Sequence, residues 1–161
     1  AGIERILKAK AVGITVLLID VVKGALPVML MLFIFNIDYG ITMAASTCLI
    51  LGHNFPVWLA FKGGRGLATG AGIFLVLNYY IVGAWAVVWL ISYSIKRNVL
   101  ISNTAATILI PFYIFLINKF TYFIVTWNLG SFSIFYFSFF SVLITFIILI
   151  RHIEIFKKNN S

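Results

Sequence analysis

An all-α bundle of membrane-crossing helices is the fold class this sequence predicts, on three observations. Of its 161 residues, 63% are hydrophobic and only 10% are charged, where soluble domains carry about 25% charged residues. Apolar runs near or above the roughly 20 residues that cross hydrocarbon recur from end to end, so no stretch is left for a soluble domain. The 12 lysines and arginines, against 4 acidic residues, gather at the ends of those runs. That pattern reads as membrane anchoring and contact with anionic lipid, not as nucleic-acid binding. A single integral membrane domain over residues 1–161 is expected.

The opening AGIERILKAK is amphipathic and basic, with no initiating Met and no cleavable-signal pattern. Residue 1 is therefore not expected to be a natural start. Apolar spans follow at 12–36, 40–60, 67–95, 99–118 and 132–150, separated by Asp38-Tyr39-Gly40, a glycine turn, Lys96-Arg97-Asn98 and a stretch around Asn128-Leu129-Gly130. Read as one helix, the third span puts Lys96 and Arg97 across the membrane from Arg5, Lys8 and Lys10, with Arg151, Lys157 and Lys158 misplaced as well. Two shorter helices meeting near Asn78-Tyr79-Tyr80, each of about 14 residues and roughly 21 Å, bring all these groups and Lys62 and Arg65 to one side. About six crossings follow, with both chain ends and the glycine turn cytoplasmic. Lys119 and Asp38 then face out, beside an interfacial rim of Tyr122, Phe123 and Trp127. The Phe/Ile/Ser-rich run at 131–150 reads as lipid-facing packing with hydroxyls bonded back to the helix.

Chemistry is concentrated at residues 52–69, GHNFPVWLAFKGGRGLAT. Glycines weaken helices and buried charge is costly, so Lys62, Gly63, Gly64, Arg65 and Gly66 together suggest that something anionic meets the backbone there. Three glycines in four positions let N–H groups converge on an oxyanion, and Arg65 is able to grip phosphate oxygens bidentately. The string lacks the Walker spacing, so nucleotide binding is not implied. The plainer reading is a basic turn that only fixes topology. His53 is a loop-organising or packing residue, and with two histidines and four carboxylates in the chain a metal site is not expected. Single Cys48 forms no internal disulfide and reads as packing.

Two further groups stand out. Asp20 and Lys23, three apart, share a helix face, either as an internal ion pair or as a wall of the active site in which Lys23 contacts phosphate. His152 follows Arg151 at the end of the last span, either as an interfacial residue or as a base facing bound phosphate.

GHNFPVWLAFKGGRGLAT, preceded by DVVKGALPV at 20–28 and followed by LIRH at 149–152, resembles the bacterial membrane acyl-phosphate:glycerol-3-phosphate acyltransferases. The long string GHxFPxxxxFKGGKGxAT carries the likeness, with Arg65 in place of the second Lys. The resemblance implies a seven-helix fold whose first helix and serine-containing motif lie upstream of residue 1, with Arg5 as the arginine closing that motif. It implies transfer of an acyl group from acyl phosphate to the 1-hydroxyl of glycerol 3-phosphate, in phospholipid biosynthesis at the bacterial inner membrane, with the site facing the cytoplasm. No cofactor is implied. A soluble enzyme that makes acyl phosphate is the implied partner, alongside membrane lipids.

The same resemblance assigns glycerol 3-phosphate to Arg5, Lys62 and Arg65, with Lys23, His53 and Thr69 in the phosphate-binding set. Gly63, Gly64 and Gly66 become backbone donors to an oxyanion or to acyl phosphate, and His152 orients the glycerol hydroxyls. The chain departs from the family where Ile155 replaces an Asn three residues after the histidine, and where the serine motif is absent. An impaired remnant of the family, or a non-catalytic anion-binding or transport protein using the same basic turn, are the alternatives. The paired halves expected of a transporter are not visible.

Overall fold

The computed structural model describes residues 2–117 and 134–160, with side chains for residue 5, 7–115 and 135–153. All regular elements among them are helical: α1 (Gly2–Met29), α2 (Tyr39–Asn54), α3 (Leu67–Lys96), α4 (Val99–Ile117) and α5 (Ile134–Asn160). Among the described residues, three stretches are long and apolar enough to cross a membrane, Leu7–Ile34, Leu67–Lys96 and Phe135–Ile153. The expected all-α membrane bundle is what folds. The rim of Lys119, Tyr122, Phe123 and Trp127 and the turn at 128–130 lie outside the described residues.

Each boundary has a local cause. Pro27 sits within α1, which runs on into a π-helical turn over Leu30–Ile34. Pro27 lacks the N–H that would bond the Lys23 carbonyl, and the wider turn that follows closes with the Phe35 N–H donating to the Leu30 carbonyl at 2.9 Å. Asp38 then caps α2, its Oδ1 accepting the Gly40 N–H at 2.7 Å, a typical N-cap arrangement. Asn98 does the same for α4, accepting from the N–H of Leu100 at 2.9 Å and of Ile101 at 3.2 Å. Within apolar helices, hydroxyls bond one turn back, as from Ser46 to the Thr42 carbonyl (2.7 Å) and from Thr107 to that of Asn103 (2.7 Å). Each of these hydroxyls is thereby satisfied within its own helix.

The division of α3 expected from the charge pattern is present. Asn78 leaves helical geometry (φ −163°, ψ 95°), and its Oδ1 accepts the Tyr80 N–H at 3.1 Å. The side chain thereby restarts the helix it interrupts. The first half of α3 crosses α1 so closely that a Cβ on Gly24 would strike the Thr69 carbonyl, and one on Gly72 the Val21 carbonyl. Without a hydrophobic force between helices in lipid, such close backbone approach supplies the dispersion contact that holds them. The second half pairs with α4 through Trp85 Nε1 donating to Thr107 Oγ1 (3.2 Å) and Trp89 Nε1 to Asn103 Oδ1 (2.6 Å). Helix α5 closes the bundle, with Phe137 and Phe140 edging onto Phe74 at 6.4 and 5.9 Å between ring centres. Val28, Ile50, Ile73, Leu77 and Ile144 complete the buried core.

Gly24→Ala and Gly72→Ala each place a methyl group on a neighbouring backbone and are expected to cost about 1–3 kcal/mol as overpacking. Gly83→Ala, where a Cβ meets nothing within 4 Å, is the matched control. Thermal unfolding in detergent checks this: the first two midpoints fall and the control holds or rises.

Candidate active site

Helix α2 ends at Asn54, and Pro56 turns the chain into a short 3-10 segment, Val57–Leu59. Ala60 (φ 49°) and Phe61 (φ 62°) then take left-handed conformations, which residues with a Cβ adopt at some cost. They fold the chain back on the end of α2, where Gly63 N–H donates to the Asn54 carbonyl (3.2 Å) and Gly64 N–H to that of His53 (3.1 Å). From the far side, Arg151 Nη2 on α5 donates to the Gly63 carbonyl at 3.1 Å, and its guanidinium lies 5.8 Å from the Phe55 ring centre.

This packing accounts for the glycines. A Cβ at Gly63 would meet the His53 carbonyl and Pro56 Cδ, and one at Gly64 the His53 ring. Gly66 has φ 74° and faces Asn54 Oδ1, 2.6 Å from where a Cβ would stand. The Gly63 and Gly64 N–H groups, expected to meet an oxyanion, are both donated to carbonyls of α2 in this structure. Glycine density here follows from close approach of the turn to the His53 carbonyl and ring, Pro56 and the Asn54 amide. The N–H groups of the first turn of α3 stay open, since no intrahelical carbonyl satisfies them and no side chain among the described residues caps them.

On one side of the turn lies a groove of about 1010 Å³ between α1, α2 and the loop. Lys23, His53, Lys62, Gly63, Gly64 and Thr69 line its polar end, and Leu18, Val22, Leu26 and Leu49 its apolar walls. Asp20 reaches Lys23 Nζ at 3.8 Å and His53 Nδ1 at 4.0 Å. The Asp20–Lys23 pair exists, and its Lys23 also lines this groove, so the two readings of it are compatible. His53 organises the loop through its carbonyl, its ring and Asp20.

On the other side stand Asn54 and His152. A methyl group at Gly70 would touch Ile148 Cδ1 (3.5 Å) and Ile50 Cδ1 (3.7 Å), so Asn54 and His152, each one helical turn further on, flank the start of α3. His152 is 1% exposed, and its Nδ1 lies 3.0 Å from the Ile148 carbonyl. A carbonyl only accepts, so Nδ1 carries the proton and Nε2 presents a lone pair. That Nε2, the Asn54 amide and Thr69 Oγ1 are buried without a hydrogen-bond partner among the described residues. Arg65, exposed at the turn, is close enough to act on His152 electrostatically. Arg5 is not brought to this group: it is exposed on continuous α1, 15 residues before Asp20, or roughly 22 Å along the axis. Ile155 lies on α5, beyond the described side chains. No cluster of three metal-ligating side chains exists among the described residues.

Sequence reasoning passed over Asn54 and treated Arg151 as an anchoring charge and a basic neighbour of His152. The one available signal was position, since Asn54 follows His53 and Arg151 precedes His152.

Long apolar helices joined by backbone contacts, with basic side chains gathered at one turn, define an integral membrane protein. The family model described as "Glycerol-3-phosphate acyltransferase" matches residues 3–159, and the chain belongs to that family. It is 34% identical over 105 residues to a glycerol-3-phosphate acyltransferase of Pelagibacter ubique (strain HTCC1062), covering 65% of this chain and 53% of the relative. With that of Gluconobacter oxydans (strain 621H) it shares 43% over 96 residues, 59% and 46% of the two chains. The chain thus spans about half the length of the curated relatives it matches. The crystal structure of PlsY (YgiH), an integral membrane glycerol 3-phosphate acyltransferase, in its lysophosphatidic acid form superimposes with a TM-score of 0.73 at 26% identity, over 92% of this chain and 69% of that one. Its glycerol 3-phosphate form gives the same score over 92% and 68%.

An unpartnered buried amide costs about 1–3 kcal/mol of desolvation. Asn54→Leu, close in size and apolar, is therefore expected to raise the thermal midpoint in detergent by several degrees. A fall would show that the amide is satisfied in the folded protein.

Proposed function

We propose that this protein transfers a fatty acyl group from acyl phosphate to the 1-hydroxyl of glycerol 3-phosphate, giving lysophosphatidic acid and inorganic phosphate. The observation that carries this reading is a groove with apolar helix walls and a polar end of Lys23, Lys62 and the glycine turn, in a chain of this family. A single-chain lipid with an anionic head has that same polarity. The named forms of the PlsY structures support the same substrate and product.

In the reaction, the hydroxyl oxygen attacks the acyl carbon, the new ester C–O bond forms, and the acyl–phosphate C–O bond breaks with its electron pair leaving on phosphate. Acyl phosphate is already activated, so the protein's task is to align two anions and stabilise the developing oxyanion. Lys23 and Lys62 hold a phosphate at the end of the groove. Arg65 and the free N–H groups at the start of α3 hold the other, where a helix N-terminus favours negative charge. His152 Nε2 accepts from the glycerol hydroxyl, which orients it and gives its proton a place to go. No side-chain nucleophile is required.

The topology that suits this chemistry has about six crossings, with the basic residues and the site on the cytoplasmic side of a bacterial inner membrane. The helices act as one domain, supplied by a soluble enzyme that makes acyl phosphate. An anion transporter or an inert remnant of the family is not favoured by the relatives.

Purified protein in bicelles, assayed for phosphate release from acyl phosphate, tests the proposal. Release is expected to depend on glycerol 3-phosphate and to fall by about a hundredfold in Arg65→Ala, the loss of a charge-assisted bidentate contact, while Arg65→Lys keeps part of it. Release indifferent to glycerol 3-phosphate overturns the reading.

A further inference from the structure

The loop between α2 and the glycine turn has a feature that substrate chemistry alone does not require. Val57, Trp58, Leu59 and Phe61 are 71%, 81%, 54% and 57% exposed, four large apolar side chains on a segment outside any long helix. Water is a poor environment for such a row. Lys62 and Arg65 follow immediately and are exposed, so the apolar row ends in positive charge. Trp with neighbouring cationic groups is the composition of a segment lying at the boundary between headgroups and acyl chains. The left-handed Ala60 and Phe61 hold the row clear of the bundle, and Trp58 and Leu59 also line the groove that holds Lys23 and Lys62.

We propose that residues 57–61 are an interfacial membrane-binding loop and that its groove-lining face forms a lateral portal for a single-chain anionic lipid. The bilayer is the partner that this surface fits, because the row is apolar, its flank is cationic, and it adjoins the exposed apolar surface of α1, including Leu18, Val22 and Leu26. A lipid whose chain lies in the leaflet and whose head stands at the depth of Lys62 passes along this face without entering water. The portal function rests on the acyltransferase reading; the membrane contact does not.

Two measurements test this. The full protein is placed in nanodiscs of phosphatidylethanolamine and phosphatidylglycerol, and its fluorescence is compared with that of Trp58→Phe. The difference isolates Trp58 among the four tryptophans. Strong quenching of that difference by a nitroxide on the acyl chain near the headgroup, with weak quenching by aqueous iodide, is expected. Quenching by iodide alone puts the loop in water, and quenching by neither puts it under protein; either overturns the proposal. In the second measurement, Trp58→Asp is expected to lower the ratio of kcat/KM for long-chain over short-chain acyl phosphate by about tenfold, since a charge at this depth opposes passage of the chain. An unchanged ratio overturns the portal and leaves the loop an anchor. Wild-type protein that turns over neither acyl phosphate fails the acyltransferase reading instead, and the quenching result stands by itself.

Discussion

Everything at the basic end of this molecule depends on two backbone hydrogen bonds, by which Gly63 and Gly64 donate to the carbonyls of Asn54 and His53. They close the chain onto the last turn of α2 and so satisfy carbonyls that a helix end leaves open. The closure sets where Lys62 enters the groove, where Arg65 leaves the turn, and at what angle α3 begins. Arg151 fixes the same turn from α5 through the Gly63 carbonyl. Helices distant in sequence are thereby referred to one short segment, and a side chain at either glycine would push them apart.

Much of the fold was legible because a bilayer imposes few choices. Run length gave the helices, and the requirement that basic residues share a side located the break in α3 at Asn78 with no help from propensity. The site was legible in its motif and less so in its physics. The sequence reading attributed the glycines to an anion, and the structure attributes them to the His53 ring, the Pro56 side chain and the Asn54 amide. Such contacts join residues around a turn and leave no trace in spacing. Arg151 escaped for a related reason: a basic residue at a membrane boundary has a sufficient explanation in topology, which hides its bond to a backbone carbonyl.

Three of the buried polar groups that lack a hydrogen-bond partner among the described residues, the Asn54 amide, Thr69 Oγ1 and His152 Nε2, surround the start of α3. Elsewhere in the bundle, hydroxyls such as those of Ser46 and Thr107 bond one turn back and the indoles of Trp85 and Trp89 find acceptors on α4, while Ser138 Oγ and Thr145 Oγ1 on α5 are likewise buried without a partner among the described residues. The three at the start of α3 stand beside the basic turn, where a polar guest would supply their missing hydrogen bonds.

The pairing of α3 with α4 has a consequence for how the protein is made. Trp85, Trp89, Asn103 and Thr107 are costly to expose to hydrocarbon one at a time. They lie on either side of a tight reversal at Arg97 and Asn98, left-handed at the first and capped by the second. All four therefore meet as soon as both arms of that hairpin have left the ribosome, and they meet through local contacts that require no other helix. The segment from the Asn78 break to Ile117 is thus suited to enter the membrane as one self-satisfied unit, ahead of α5 and before the core around Phe74 exists.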